Sequence, residues 1–587
     1  MANVAGGTRR SDRGVALLAV LLVSLALAAI AVGALAIAQN ASLISRYSER
    51  LSVLESVADA GIEELRSRIN NDATAYPDTG FVVLEGGVSV TDASGAVITG
   101  VRRWTYVGPT GVTSGQYGIF GSVVVVARDA FGNVVVRRGE VVQESFAKYA
   151  YFTDVEPANI AFGGGDQIFG PVHTNAILKI YSSGATFHGP VTTAQTVQGA
   201  SYGTFRQGYT EHAAAIEMPE TADLTKLQSQ ATAGSTVFSA PSGGSSTQAT
   251  LRIEFVALDL DGDGEVTGAD EGFIRVYQST NAGWLMGDVP SDFSSNRLRN
   301  SVNCGHYHAD GTFVDVASHP TSGPDAWTAA VSSSTKRCYL GGSDSLFGGF
   351  QASDTRGSWL GWPGLVSSLL ATRPDRAYLF PITRSLNPSF KGVIFVTGNV
   401  AVSGVVRGQV TLAATGNILI ADDLTYATNA GAGVCRDILG LFAGQDVIVA
   451  DNTLNSPITP TTAANYFTYD DTKDEFVNAV VLALNTFTVE VYDQGATKAE
   501  PCESTLWGRG CLYLTGGIIQ RQRGAVGTIG SPGGTGYLKR YSYDACAFSS
   551  PPPYFPTTGH FARGRLFEVD PVGFDIGQYF GLLTAGH

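Results

Sequence analysis

The sequence predicts a mainly β protein carried on a single long N-terminal α-helix. A small helix-plus-sheet unit comes first, then a larger β-rich body of solenoid-like or sandwich-like build. Three observations lead there. Residues 15–38 form an uncharged apolar run, and a helical pattern continues beyond it. Across the chain glycine is abundant, at 71 of 587 residues, and charged residues make up only 15%. Val, Thr, Ser and Tyr recur after the helix in short alternating runs, as strands and turns require.

The helix is read in two halves. A basic leader (Arg9, Arg10, Arg13, Gly14) gives way to the apolar run, which exceeds the roughly 20 helical residues needed to cross a hydrocarbon core about 30 Å thick. Leu43, Tyr47, Leu51, Leu54, Ala58, Ile62, Leu65 and Ile69 then recur at steps of three and four, one stripe of an amphipathic helix. No proline interrupts the chain before Pro77, so one rod over residues 15–72 is sterically allowed. Arginines beside a span tend to stay cytoplasmic, which puts the large remainder on the far side of the membrane. An uncleaved anchor, a cleaved secretory signal and a leader of residues 1–14 cut between Gly14 and Val15 all fit this pattern; the last is preferred.

The stretch RGVALLAVLLVSLALAAIAVGALA followed by ESVADAGIEELRSRI resembles the start of PilX-like minor pilins and related pseudopilins. The resemblance implies cleavage after Gly14, Val15 as the mature N-terminus, and packing of the helix among other pilin or pseudopilin subunits. Major pilins carry Phe and Glu at the first and fifth mature positions, where this chain has Val15 and Ala19; that difference suits a tip or priming role. Later blocks, among them Gly170 to Asn175 (GPVHTN), resemble an uncharacterised exported β-rich domain found with type IV pilus components, a family with no established activity.

Residues 76–144 read as a small antiparallel β domain, with a turn at Asp129 to Asn133. Residues 145–587 read as the β-rich ectodomain, with an inserted segment at about 205–375. Thr397-Gly398-Asn399-Val400 recurs as Thr415-Gly416-Asn417-Ile418, and Gly444-Gln445-Asp446-Val447 echoes it, each copy ahead of a short alternating strand. Repeated corners at rung-like spacing suggest a parallel β-solenoid, with Asn399 and Asn417 stacking in a ladder. A sandwich with similar turns is the alternative.

The sharpest chemical motif is DLDGDGEVTGAD, residues 259–270. A twelve-residue calcium loop takes oxygen ligands at positions one, three, five, seven, nine and twelve, with glycine at six. Asp259, Asp261, Asp263, Glu265 through its carbonyl, Thr267 and Asp270 fill those positions around Gly264, with Glu271 adjacent. Alternating residues on both sides place the loop between strands, and Ca2+ is expected there in a structural role.

Six cysteines, Cys304, Cys338, Cys435, Cys502, Cys511 and Cys546, suggest disulfides, with Cys502–Cys511 and Cys304–Cys338 two open choices among many. Cys304, His306 and His308 resemble a metal corner only weakly. A net charge of −14 without a basic cluster argues against nucleic acid as a partner. No GxSxG, HExxH or Walker motif is present, so no enzyme is expected.

The function expected is therefore a minor-pilin-like structural subunit of a type IV pilus or pseudopilus. It would be anchored in the inner membrane or assembled into a surface filament, and would display a calcium-stabilised β domain for tip, assembly or adhesion roles toward surface glycans or host surfaces. The alternative is a membrane-tethered carbohydrate-active β-solenoid enzyme using acids such as Asp422, Asp423 or Asp446.

Overall fold

The computed structural model describes residues 12–77, 79–110, 116, 118–240, 249–279, 305–307, 313–315, 352–353, 357–373, 375–428, 434–450, 474–490, 492–493, 500–508, 510–530 and 534–585. The protein is mainly β with one long apolar helix, and it divides into two compact units. The first comprises residues 1–112, 120–142 and 561–587, the second residues 113–119 and 143–560.

In the first unit, helix α1 (Asp12–Asn71) runs unbroken for 60 residues, about 90 Å at 1.5 Å per residue. Residues 15–50 of it are exposed, Leu25 at 63% and Leu43 at 64%. The same stripe is buried further on, at Leu54, Ala58, Ile62, Leu65 and Ile69. The change reflects what lies opposite: β2 (Val97–Pro109) and β3 (Phe120–Asp129) begin to cover the helix there. Gly139 permits the approach, because a Cβ on it would lie 2.6 Å from Ile62 Cγ2. Burial of these aliphatic side chains contributes roughly 1.5–3 kcal/mol each, more than the surface ion pairs beside them. Arg103 is the exception, buried between Glu85 at 2.8 Å and Glu64.

The sheet is five-stranded, in the order Val82–Thr91, β2, β3, Val134–Ser145 and Thr557–Val569. Asp129 makes the expected turn: its Oδ1 accepts the backbone N–H groups of Phe131 and Asn133, and Gly132 takes φ +89°. Residues 561–587, grouped with the large β body on sequence, lie in this unit instead. Their strand alternates too weakly to advertise its partner, since the pairing crosses more than 400 residues, as the Glu140–Arg565 ion pair illustrates (sequence separation 425). The following helix, Ile576–Thr584, stacks Phe580 on Phe81 at 5.1 Å.

The second unit is built, among the described residues, on a 21-stranded sheet. Among the described residues every pairing in it is parallel except those made by Gly272–Ser279. Strands skip their nearest neighbours along the chain and pair further on: Val393–Thr397 with Gln409–Ala414, then Ile438–Ala443, then Glu475–Val489, then Cys511–Arg523. The series does not end there. Cys511–Arg523 continues onto Tyr151–Val155, and from there to Val172–Thr174, Val191–Thr193 and Tyr209–Thr210. A second line of pairings joins Leu538–Tyr543 to Asp166–Phe169 and then Ala185–Phe187. The start of this unit is thus stacked on its end in sequence. After residue 210 the chain reaches helix α2 (Thr221–Ala233) and re-enters the sheet through Val237–Ser239, which pairs with Val393–Thr397. Inward side chains such as Val402, Ile420, Val449 and Val481 form one continuous apolar core.

The repeated corners join successive strands. Asn399 Oδ1 accepts the N–H of Asn417, and Asn417 Oδ1 accepts the N–H of Asp446, at 2.8 and 2.9 Å. Asp446 in turn accepts from Thr486 N at 3.0 Å and from Asn485 Nδ2 at 2.7 Å. Asn417 is 1% exposed and the bond it accepts from Asp446 N–H is part-buried, so Asn417→Ala is expected to cost about 1 kcal/mol. A lowered denaturant midpoint with unchanged circular dichroism is the expected reading.

Candidate functional site

The acidic motif forms the connection of a β-hairpin. Strands Leu251–Ala257 and Gly272–Ser279 pair antiparallel, closing with Ala257 opposite Gly272, and residues 258–271 bridge them. The hairpin base is held by buried charge: Arg275 donates to Glu254 directly across the pair at 2.8 Å and to Asp375 at 3.0 Å. Burial pushes the Asp375 carboxyl upward, but the hydrogen bond from Arg373 and the charges of Arg275 and Arg373 outweigh it and hold the pKa low.

Above this base Asp259, Asp261 and Asp263 each bring a carboxylate oxygen within 4.8 Å of the others. Local hydrogen bonds shape the turn. Asp259 accepts from Gly262 N at 2.7 Å and Gly264 N at 2.9 Å, Asp261 from Asp263 N at 3.2 Å, and Asp263 from Glu265 N at 2.8 Å. Gly262 and Gly264 take φ +77° and +85°, a conformation glycine adopts without strain. The N–H of Asp263 lowers the Asp261 pKa, but desolvation and the neighbouring carboxylates of Asp263, Glu271 and Asp259 raise it more, and the net shift is upward.

Of the other motif positions, Glu265 is exposed and Thr267 turns its carbonyl to Arg407 Nη2 at 2.6 Å. Asp270 is not part of the carboxylate cluster. Its neighbour Glu271 is buried and closes the loop, accepting from Leu260 N at 3.0 Å and Gly268 N at 2.6 Å. The motif spacing pointed to residue 270; a buried partner just outside it has no spacing rule to reveal it. The donor set of three exposed carboxylates suits a hard cation, which prefers oxygen ligands and would relieve their mutual repulsion.

The remaining candidates are structural in their surroundings. Asp423 accepts the N–H of Phe476 at 2.9 Å, Asp446 belongs to the corner ladder, and the side chain of Asp422 lies outside the described residues. His173 is 2% exposed, with Nδ1 2.8 Å from Thr192 and Nε2 3.0 Å from Asn175, and desolvation lowers its pKa. His188 stacks on Phe169 at 3.9 Å. Cys502 pairs with Cys511, and Cys435 with Cys546 across 111 residues. Cys304, Cys338, His308 and the side chain of His306 lie outside the described residues. Pro553 straps the second unit, its carbonyl accepting from Thr411 Oγ1 at 2.6 Å.

Gly14 and Val15 lie in the first turn of α1, at the edge of a segment long and apolar enough to cross a membrane. No known protein family, curated protein or solved structure matches the chain.

Proposed function

We propose that this protein is a minor-pilin-like structural subunit of a type IV pilus or pseudopilus. Residues 15–47 anchor it in the membrane or among other subunits, and the parallel β body, which we read as a β-solenoid, is displayed outside the cytoplasm for tip, assembly or adhesion roles. The observation that carries this reading is the division of α1. One unbroken rod is apolar and uncovered in its first half and packed on an antiparallel sheet in its second. A helix that needed only to anchor would not require the continuous extension into a folded unit.

The reading is noncatalytic. The acids that an enzyme of this build would use, Asp423 and Asp446, accept backbone N–H groups that link neighbouring strands. Filament association is checked by shearing cells and assaying the shed fraction. The wild-type chain is expected there with other pilin or pseudopilin subunits, and Gly14→Leu is expected to stay in the membrane. A wild-type chain absent from sheared filaments contradicts the assignment.

Ca2+ is proposed as the ion of the 259–270 loop, with Asp259, Asp261 and Asp263 as carboxylate ligands and the Glu265 carbonyl and Thr267 hydroxyl as further oxygen donors; Asp270, outside the carboxylate cluster, would have to move to join them. Extracellular sites of this class bind at roughly 0.1–1 mM. Calcium at ten times its dissociation constant would stabilise the folded protein by about 1.4 kcal/mol. Asp261→Ala is expected to abolish the calcium-dependent rise in melting temperature; a melt identical with calcium and with chelator in the wild type removes the metal from the account.

A further inference from the structure

We infer that the second unit carries a pocket for the carboxylate of an acidic sugar, with Arg384 and Arg436 as its cationic wall and Arg407, already paired, beneath them. These arginines come from three separate segments of the chain and line one open cavity of about 290 Å³. Among the described residues neither Asp nor Glu lines it, although the chain carries a net charge of −14.

The three are not equivalent. Arg407 is 6% exposed and neutralised: Nη1 donates to Asp437 at 2.7 Å and Nη2 to the Thr267 carbonyl at 2.6 Å. It forms a rigid floor. Arg384 is exposed and held by neutral acceptors only, through Nε to the Phe390 carbonyl at 3.1 Å and through Nη2 to Gln116 at 2.8 Å. Its plane is therefore oriented while its charge is unbalanced. Arg436 is exposed, and its backbone is pinned on both sides, by the Cys435–Cys546 disulfide and by buried Asp437. No carboxylate pairs with Arg384 or Arg436 among the described residues.

Two guanidinium groups without a carboxylate partner, one of them oriented, on one cavity suit a planar anion, because a guanidinium presents parallel N–H donors to carboxylate oxygens. The rest of the wall adds the side chains of Thr383 and Gln409 and the apolar edge of Pro553. Hydroxyl and amide groups beside an apolar edge match a polyhydroxylated ring better than a simple aliphatic acid, and the volume admits about one such ring. Ordinary solvated arginines would be scattered over the surface or paired with acids, as Arg565 is with Glu140. The inference is independent of filament assembly, since the pocket lies within one unit.

Isothermal titration of the full-length protein in detergent with glucuronate, glucose and N-acetylglycine tests it. Glucuronate is expected to bind, glucose to give no heat, and N-acetylglycine to bind more weakly. Arg436→Ala should weaken glucuronate binding by roughly ten- to a hundredfold, the loss of one charge-assisted hydrogen bond, with no change in melting temperature. Arg384→Ala should do the same, and Arg436→Lys should recover part of the affinity. Absence of glucuronate binding in the wild type, equal binding of glucose or N-acetylglycine, or full affinity in both alanine variants overturns the proposal.

Discussion

Arg523→Met is expected to destabilise the second unit by about 3–5 kcal/mol, because it removes one member of a buried ion pair and leaves the other without its counter-charge. Arg523 Nη1 lies 3.1 Å from Glu156, with side chains 2% and 0% exposed. The guanidinium rests 3.8 Å above the Phe162 ring, and Glu156 accepts further hydrogen bonds from Tyr151 at 2.9 Å and Thr153 at 2.7 Å. A second pair, Lys539 with Asp166 at 3.0 Å, lies on the neighbouring line of strands. Both pairs join the first strands of the unit to its last ones, the one place among the described residues where the stacking departs from chain order.

A purely apolar seam would accept Tyr151–Val155 in several registers, whereas a buried guanidinium finds its carboxylate in one. The double variant Arg523→Met with Glu156→Gln should therefore recover most of the lost stability, since no charge is left stranded and the glutamine carbonyl still accepts from Tyr151 and Thr153. Denaturant midpoints of the two variants check this. Equal midpoints for wild type and Arg523→Met would show that the pair does not hold the junction.

Leu65→Ala and Leu43→Ala offer the second large contrast, because both leucines lie on one stripe of one helix. Leu65 is 2% exposed and Leu43 is 64% exposed. Truncating the first removes buried methyl groups and leaves a cavity, with an expected loss of about 2–5 kcal/mol in the first unit. Truncating the second is expected to change stability in detergent by no more than about 0.5 kcal/mol. Hydrogen exchange in residues 120–142 is the readout. Equal protection in the two variants would mean that the sheet does not depend on the helix.

These two cases also show what could be read from residues alone. The stripe from Leu43 to Ile69 has the helical period throughout, so periodicity announced the helix and its amphipathic face. It could not say where cover begins, because Leu43 and Leu65 look alike until β3 is placed against one of them. The corner motifs at Asn399 and Asn417 were visible because each repeats a local hydrogen-bonding need. The parallel order of strands followed from them only in part. The junction of residues 151–155 with 518–522 rests on single buried residues far apart in sequence, and no periodic signal marks Glu156 and Arg523 as partners. The strand Thr557–Val569 was missed for the same reason.

In the acidic loop the spacing of Asp259, Asp261 and Asp263 carried the expectation, and the three do converge. Glu271, just outside the spacing rule, does the closing through two backbone N–H groups. The arginine pocket had no motif at all, since Arg384, Arg407 and Arg436 are gathered only by strand pairing and a disulfide across 111 residues.

We propose that α1 begins as a processed, membrane-competent rod and continues into a folded unit. Mass spectrometry of the native protein's N-terminus tests it most directly. A mature chain starting at Val15 and recovered with membranes or filaments is the expected result. A freely soluble chain whose first residue lies beyond residue 38 would contradict it.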